Sequence, residues 1–462
     1  MNKRSDLALA AAALSCVALM CARAASVFHH GPYVFTSGCE EESLFAVWKW
    51  INKQAIYGNA FEPPFAQSYF NWLFYWVYGA FSSATLSIAK LNSLALPAIT
   101  RCLTLALTVI SMLVVYQLLS PLSFRRRIAG SAIIAFNPLI GFWGVTARPD
   151  VGALACALVG FWCIGKSERS HSSAWIGMAF LAFYCSWAFK QTYMAAFAAT
   201  VLHFCLARRW KPALWFGGAT VLAIGLTFIF GTPEYRYAAI WSQSKVALLA
   251  SVAEHNVGRA ILKAPLFLFG LMAVIVCIRR DRANLLALWA IISIPLMLVA
   301  SAKVGASDNY FFEPAAICSI LFLLEGRHVT AASVAQIVSP VLIVAGLAGV
   351  LFVKPEPELA LLKSDLAKMN GSVFVSENGG NLPWFQERPP HFVLAATYLA
   401  DRALGKTFAF GGVEGMVQSG RIDLFVCPRD KVNEPFDGIV PASLWKIKED
   451  SKWAYFATQP AR

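Results

Sequence analysis

The sequence predicts an all-α, polytopic membrane protein with about eleven transmembrane helices and a small C-terminal α/β domain. Of its 462 residues, 58% are hydrophobic and only 14% are charged. The apolar residues form long blocks, whereas a soluble core would scatter them along the chain. Lys and Arg residues concentrate in alternate loops between these blocks. Composition, block length and charge placement therefore indicate the same fold class.

Windows of about 19 residues identify the predicted spans. The blocks are 7–27, 97–119, 128–147, 151–165, 174–189, 194–206, 213–231, 264–278, 284–302, 314–325 and 331–353. Block 194–206 is short, and it spans only if its flanking residues snorkel or the helix takes a turn from its loop. The predicted count is therefore eleven, give or take roughly one or two.

Charge placement predicts the orientation, because short loops rich in Lys and Arg stay in the cytoplasm. An N-terminus inside, with Lys3 and Arg4, makes every inner loop basic. The cations in these loops are Arg125, Arg126, Arg127, Lys166, Arg169, Arg208, Arg209, Lys211, Arg279, Arg280, Arg282 and Arg327. The net charge of +13 thus comes mainly from the loop cations that set the orientation of the protein in the membrane. No nucleic-acid partner is predicted, since no cationic cluster is interleaved with aromatic residues.

The first block has two interpretations. Asn2-Lys3-Arg4 is a basic n-region, and Ala22-Arg23-Ala24 has the small residues of a signal-peptidase site. We favour an uncleaved helix over a signal peptide. Either interpretation leaves the following segment outside, so the predicted orientation is the same.

The long loops all fall on the predicted outer side. They are residues 28–96, residues 232–263 and the C-terminal region from 354 onward. The inner loops are short, so a site built from loops would face the outside.

The first outer segment contains an acidic triplet, Glu40, Glu41 and Glu42, just before a helical apolar pattern over residues 44–51. Acidic residues at a helix N-terminus also complement the helix dipole. Further along, residues 71–78 predict an aromatic interfacial helix. The triplet is either a dipole-stabilising feature or a catalytic one.

Two further charged motifs lie where spans meet the outer surface. Arg148 and Asp150 flank Pro149, which suits the first position of a helix. The fifth span ends at Lys190, with Gln191 and Tyr193 beside it. Helix punctuation and snorkelling are the simple explanations. A phosphate-handling site would use the same charges.

The segment before the tenth span is the richest in polar groups. Lys303, Asp308, Asn309, Tyr310 and Glu313 occur within eleven residues. If this stretch is helical, Asn309 and Glu313 share a face because they are four residues apart. A cation, a carboxamide and two carboxylates would then meet beside the membrane, which favours a functional site.

Residues 1–353 resemble the bacterial members of the C-type glycosyltransferase (GT-C) superfamily. These membrane enzymes take sugars from polyprenyl phosphates and include protein mannosyltransferases and aminoarabinose transferases. The resemblance is carried by Glu41-Glu42-Ser43-Leu44-Phe45, Arg148-Pro149-Asp150, Phe189-Lys190-Gln191-Thr192, and Gly305 through Asn309-Tyr310 to Glu313. The family has Asp-Glu where this chain has consecutive Glu residues, so the register of the acid stays open.

The resemblance implies inverting transfer of a hexosyl or pentosyl group to an acceptor hydroxyl, from a periplasmic active site in the bacterial inner membrane. Glu41 would be the general base, with Glu42 or Glu40 as register alternatives. Arg148, Lys190 and Lys303 would stabilise the departing phosphate. The sugar or acceptor would contact Asp150, Gln191, Tyr193, Asp308, Asn309, Tyr310 and Glu313.

The same resemblance sets the expected partners. They are a polyprenyl-phosphate-linked sugar donor, a lipid, glycan or protein acceptor, and membrane lipids. Some relatives use a divalent cation and others do not, so a cation is possible and its ligands stay unassigned. No other cofactor is expected.

The C-terminal region, residues 354–462, predicts a small domain on the outer side. Residues 371–375 and 422–426 have the pattern of strands, and residues 391–404 that of a helix. Residues 444–458 predict a hairpin.

Two other functions use similar parts. A flippase or transporter for a lipid-linked sugar would place polar groups near the midplane, often in repeats. Here the charges lie at the outer ends of the spans, and the sequence shows no repeat. An O-antigen polymerase or ligase would have its large outer loop late in the chain, whereas the longest loop here follows the first span.

Overall fold

The computed structural model of the protein describes residues 3–31, 39–326, 329–352, 357–376, 380–388, 391, 398–431 and 444–457. These residues are mostly helical and include one small sheet near the C-terminus. The predicted fold class, a helical membrane protein with a small C-terminal α/β region, is confirmed.

Helices are the only regular secondary structure in the first part of the described chain. Its helices are α1 (Lys3–His29), α2 (Cys39–Ile51), α3 (Trp72–Ala89), α4 (Leu96–Leu118), α5 (Phe124–Ala135), α6 (Asp150–Ser170), α7 (Ser173–Phe189), α8 (Ala195–Leu206) and α9 (Trp210–Phe230). Short 3-10 turns lie at Ser93–Ala95 and Gly141–Gly144.

Helices continue to Phe352. They are α10 (Pro233–Arg236), α11 (Ser242–Ser244), α12 (Ala250–Lys263), α13 (Pro265–Arg280), α14 (Leu285–Ser301), α15 (Phe312–Glu325) and α16 (Val329–Phe352). A π-helical turn, Tyr237–Trp241, separates α10 from α11, and a 3-10 turn, Asp308–Phe311, precedes α15.

Each of the eleven predicted blocks contains a helix. Among the described residues, five helices are long and apolar enough to cross a membrane: α1, Ser93–Leu118, α6, α9 and Val329–Leu347. The pair α12 and α13, bent by 95°, makes a sixth if it is one span, and α7, α8 and α14 are shorter apolar helices. These helices fit a multi-pass membrane protein.

Block 128–147 forms a shorter helix than predicted. Helix α5 ends at Ala135, and the chain then turns before the 3-10 segment that follows. Pro138 explains the early end, because proline disfavours helical conformation in the residue before it and donates no hydrogen bond.

The apolar helices pack closely but leave apolar surface uncovered. Helix α1 contacts α5 and α16, α6 lies between α4 and α7, and α13 packs on α15. Helix α9 exposes Leu214, Val221 and Phe230 at 75%, 75% and 82%. So much exposed apolar surface on one helix is suited to lipid, not to water.

The described residues of the C-terminal region form three helices and four strands. They are α17 (Pro357–Lys368), α18 (Tyr398–Ala403), α19 (Gly412–Gln418), β1 (Val373–Val375), β2 (Leu424–Pro428), β3 (Trp445–Glu449) and β4 (Trp453–Ala457). The strand order is β1-β2-β4-β3. Strand β1 pairs parallel to β2, and the other two pairings are antiparallel.

The predicted strands and the β3–β4 hairpin are confirmed by this sheet. The predicted helix 391–404 is observed as α18, while 392–397 lie outside the described residues. The proposed break at 354–357 falls largely on 353–356, which also lie outside them. The domain division 1–353 and 354–462 therefore stays a prediction.

One end of the helix bundle holds the long connections, and we call it the α2 end. It comprises α2, α3, α10–α12, the last turns of α1, α7, α9 and α14, and the first turns of α4, α6 and α15. The C-terminal region contacts this end: the Ala409 amide donates to the Phe61 carbonyl at 2.8 Å. Phe65 is fully buried in the same apolar cluster as Phe374 and Tyr398.

Candidate active site

The structure centres the candidate site on the carboxylate of Asp150. This residue begins α6 directly after Pro149, where the helix dipole favours a negative charge. Its Oδ1 accepts hydrogen bonds from Lys190 Nζ and, at 2.8 Å, from Asn309 Nδ2. The Tyr193 hydroxyl donates to the Asp150 carbonyl at 3.3 Å. Three motifs that are far apart in sequence therefore meet at one residue.

Lys190 is held inside the protein. Helix α7 ends at Phe189, and the residue that follows, Lys190, is only 4% exposed. Its ammonium pairs with Asp150 and lies 4.6 Å from the centre of the Tyr310 ring. A cation over an aromatic face gains electrostatic stabilisation. This buried, paired position does not match the snorkelling explanation, which would direct the amine to water.

Two more cations lie beside this cluster. The Arg148 guanidinium is largely buried, 5.2 Å from the Trp143 ring centre, and the Arg148 carbonyl accepts from the Tyr78 hydroxyl at 3.4 Å. Lys303 follows α14 and is half-buried. Burial, followed by the positive charge of Lys190, lowers the pKa of Lys303. The predicted phosphate-binding cations therefore lie in one region.

The acidic triplet occupies the first turn of α2, as predicted. Glu40 is fully buried and pairs with Arg101, whose Nε lies 3.2 Å from Glu40 Oε1. Glu42 is also buried, whereas Glu41 is partly exposed. The Ala147 amide donates to Glu40 Oε1 at 3.2 Å, so the triplet touches the segment that leads into Asp150.

Asp308 has a separate set of partners. Its carboxylate is fully buried and pairs with Lys263 at 2.6 Å and with Arg259 at 3.4 Å. The Ser307 hydroxyl donates to its other oxygen at 3.0 Å. Asp308 and Asn309 therefore have partners in different elements. Asp308 pairs with side chains of α12, and Asn309 donates to Asp150.

Glu313 and Gln191 make their described hydrogen bonds to groups other than Asp150. Glu313 is fully buried and accepts a hydrogen bond from Trp289 Nε1. Asn309 lies in the preceding 3-10 turn and binds Asp150, so these two residues have different partners. Gln191 Nε2 donates to the carbonyls of Tyr69 at 2.9 Å and Ala239 at 3.3 Å, and thus joins two connections at the α2 end.

Sequence reasoning missed the partners of these groups. Arg101 lies within the apolar block 97–119, where a charged residue is costly and is itself a signal of function. Arg259 and Lys263 are four residues apart in the second long loop, which predicts one face of a helix. Trp289 lies within an apolar block, and no sequence signal singles it out.

The described residues contain no group of three or more His, Cys, Asp or Glu side chains arranged to hold a metal ion. The described residues therefore identify no ligands for the divalent cation, whose use the sequence leaves open.

No protein-family model matches this chain. No curated protein matches it either.

Solved structures of an archaeal oligosaccharyltransferase do match. The Archaeoglobus fulgidus oligosaccharyltransferase tethered with an acceptor peptide gives a TM-score of 0.50 at 11% identity, covering 96% of this chain and 74% of that chain. AglB from the same organism, in complex with an inhibitory peptide and a dolichol-phosphate, gives 0.49 at 13%, covering 90% and 70%. The complex with Zn and sulfate gives 0.49 at 11%, covering 91% and 69%. At 11% identity the first of these matches shows a similar fold alone.

Proposed function

We propose that this protein is an inverting glycosyltransferase that moves a sugar from a polyprenyl-phosphate donor to an acceptor hydroxyl at the outer face of the membrane. The observation that carries the proposal is the Asp150 cluster. Its carboxylate joins Lys190 and Asn309, from three motifs that the resemblance assigns to the active site. A buried charged group at the end of a membrane helix is a functional feature by default.

The cations of the site favour an anionic substrate. Lys190 and the half-buried Lys303 lie close enough for the positive charge of Lys190 to lower the pKa of Lys303. Arg148 lies in the turn that leads into Asp150. A phosphate group provides negative charge together with several hydrogen-bond acceptors.

The proposed reaction forms one bond and breaks one. The acceptor oxygen attacks the anomeric carbon while a carboxylate takes the hydroxyl proton, and the bond from that carbon to the phosphate oxygen breaks. The electron pair leaves with the polyprenyl phosphate. Arg148, Lys190 and Lys303 stabilise the charge that grows on the phosphate. Asp150 orients Lys190 for this role.

Glu41 is the proposed general base. It is the most exposed of the three glutamates at the start of α2, although its Oε2 atom is buried. Glu40 is fully buried and its oxygens already accept from Arg101 and Ala147. Glu42 is buried at 5% exposure and remains the register alternative.

The acceptor and the orientation are part of the proposal. The basic loops support a cytoplasmic N-terminus and a periplasmic C-terminal domain in a bacterial inner membrane. The acceptor is a lipid, a glycan or a protein, and the archaeal enzyme with a TM-score of 0.50 was solved with an acceptor peptide. Tyr193 and Asn309 bind Asp150, the Tyr310 ring lies against Lys190, and these three residues are the proposed sugar contacts.

The experiment compares membranes that contain the wild type or Glu41→Gln. A radiolabelled pool of polyprenyl-phosphate sugars is added, and label is followed out of the lipid fraction. The proposal predicts transfer by the wild type and its loss in Glu41→Gln. Glu62→Gln is the matched control, because Glu62 is exposed in the loop that follows α2. Transfer that survives in Glu41→Gln and is lost in Glu42→Gln would identify Glu42 as the general base. Absence of transfer from every donor would favour the flippase.

A further inference from the structure

Arg101 is a charged residue buried among apolar helices. It lies one turn into α4, and its side chain has no exposed surface. A guanidinium in such a place must be paired and hydrogen-bonded, because removing it from water is costly. Its Nη1 donates to the Gly31 carbonyl at 2.6 Å, and its Nε and Nη2 lie 3.2 Å and 3.5 Å from the two carboxylate oxygens of Glu40.

Glu40 extends this contact to the catalytic cluster. Its Oε1 also accepts from the Ala147 amide at 3.2 Å, and Ala147 directly precedes Arg148. The interaction therefore joins four parts of the chain: the end of α1, the start of α2, the first turns of α4, and the segment entering α6. The carbonyl, carboxylate and amide groups orient the guanidinium in a defined plane.

We infer that Arg101 and Glu40 form a positioning lock, which holds the first turn of α2 against the Arg148–Asp150 segment and so places Glu41 beside the phosphate-binding cations. This inference rests on the proposed function. Glu40 is then a positioning residue, because its oxygens are occupied and its side chain is inaccessible to an acceptor. The three glutamates of the triplet thus have different roles.

A buried ion pair is weak evidence for a role in stability. Replacing both partners by well-packed apolar residues of similar volume is often neutral for stability, whereas removing one partner is strongly destabilising. The planar guanidinium gives the Arg101–Glu40 pair a defined geometry. Displacement of a catalytic group by about 1 Å can reduce the rate by about 100-fold.

The test uses Arg101→Gln, Glu40→Gln and the double variant in the full-length protein. Thermal unfolding in detergent and the kcat and KM for the polyprenyl-phosphate donor are measured for each. Each single change should lower the Tm, and the double variant should recover most of that loss because no charge is left alone. Its kcat should stay at least about tenfold below the wild type, with little change in KM for the donor.

Arg101→Lys and a second ion pair serve as controls. Lysine keeps the charge without the planar fork, so it should preserve the Tm better than Arg101→Gln and still lower kcat. The pair Asp6 and Arg126, 2.7 Å apart, joins α1 to α5 at the opposite end of the bundle. Asp6→Asn combined with Arg126→Gln should leave kcat unchanged.

Two results would overturn the inference that Arg101 and Glu40 form a positioning lock. Additive losses of Tm in the single and double variants would show that Arg101 and Glu40 are not coupled. A double variant with the kcat of the wild type would show that the pair has no positioning role. Failure of the proposed function appears separately, as a wild type that transfers sugar from no donor, and in that case the Tm comparison still tests the coupling.

Discussion

Removing the charge of Asp150 and removing the charge of Lys190 should destabilise the protein by different amounts. Asp150→Asn removes the described ion-pair partner of the buried Lys190 ammonium, which keeps the Tyr310 ring and the longer-range attraction of Glu313. Lys190→Gln instead leaves Asp150 with the Asn309 amide at 2.8 Å and the positive end of the α6 dipole. The aspartate therefore keeps more support than the lysine does.

The structure gives the approximate size of each effect. The side chains of Lys190 and Asp150 are 6% and 1% exposed, so an uncompensated ammonium there should cost about 3–5 kcal/mol. Lys190→Gln removes one charged hydrogen bond and should cost about 1–3 kcal/mol. The Asp6–Arg126 pair has side chains that are 43% and 21% exposed, so Asp6→Asn should cost about 0–1 kcal/mol.

Thermal unfolding of the three variants in one detergent tests this order. The expected loss of Tm is largest for Asp150→Asn, intermediate for Lys190→Gln and smallest for Asp6→Asn. Heating of membrane proteins is often irreversible, so the comparison uses a single scan rate. Equal losses for Asp150→Asn and Lys190→Gln, or the reverse order, would refute the account of how this site is stabilised.

Two further predictions concern Lys303 and the packing of α6. Burial and the charge of Lys190 lower the pKa of Lys303, so its positive charge is present at low pH and is lost earlier than that of an exposed lysine as the pH rises. The KM for the donor should therefore increase at alkaline pH, and Lys303→Arg should remove that increase because arginine stays charged; an identical pH profile in Lys303→Arg would contradict this role. A methyl group on Gly160 would overlap the buried Phe183 ring, so Gly160→Ala should destabilise the protein by about 1–3 kcal/mol. The added methyl group of Gly165→Ala in the same helix meets no atom within 4 Å, so this variant should not be destabilised by a clash. Equal unfolding temperatures for the two variants would count against the packing of Gly160 on Phe183.

The helical fold could be predicted because its signals are local in sequence. Apolar blocks and basic loops indicate where helices lie without any knowledge of their neighbours. The largest difference occurred in block 128–147, where hydropathy ignores the effect of Pro138 and the helix ends at Ala135.

The candidate site was only partly predictable, because ion-pair partners depend on the three-dimensional packing. Asp150, Lys190 and Asn309 each stood out in sequence as polar residues at the ends of spans, and the structure joins them. Arg101 did not stand out, because one cation hardly changes the hydropathy of a 23-residue block. A charge inside an apolar block is a signal of function, but the partner of Arg101 is visible only from the buried contact with Glu40.

Asp308 shows that residues adjacent in sequence need not belong to the same site. The sequence placed it beside Asn309 and suggested one shared site. The local 3-10 turn directs the two side chains to different helices, and Asp308 pairs with Lys263 and Arg259. Neighbours in sequence therefore belong to two adjoining clusters, which only the backbone geometry reveals.

The most direct test of the central claim separates sugar transfer from lipid transport. Purified protein is placed in liposomes with a labelled polyprenyl-phosphate sugar and a candidate acceptor, and mass spectrometry follows both lipid and acceptor. A glycosyltransferase should release free polyprenyl phosphate in equal amount to the glycosylated acceptor, and Glu41→Gln should abolish both products. Intact donor that merely changes leaflet, at the same rate in Glu41→Gln, would contradict the account.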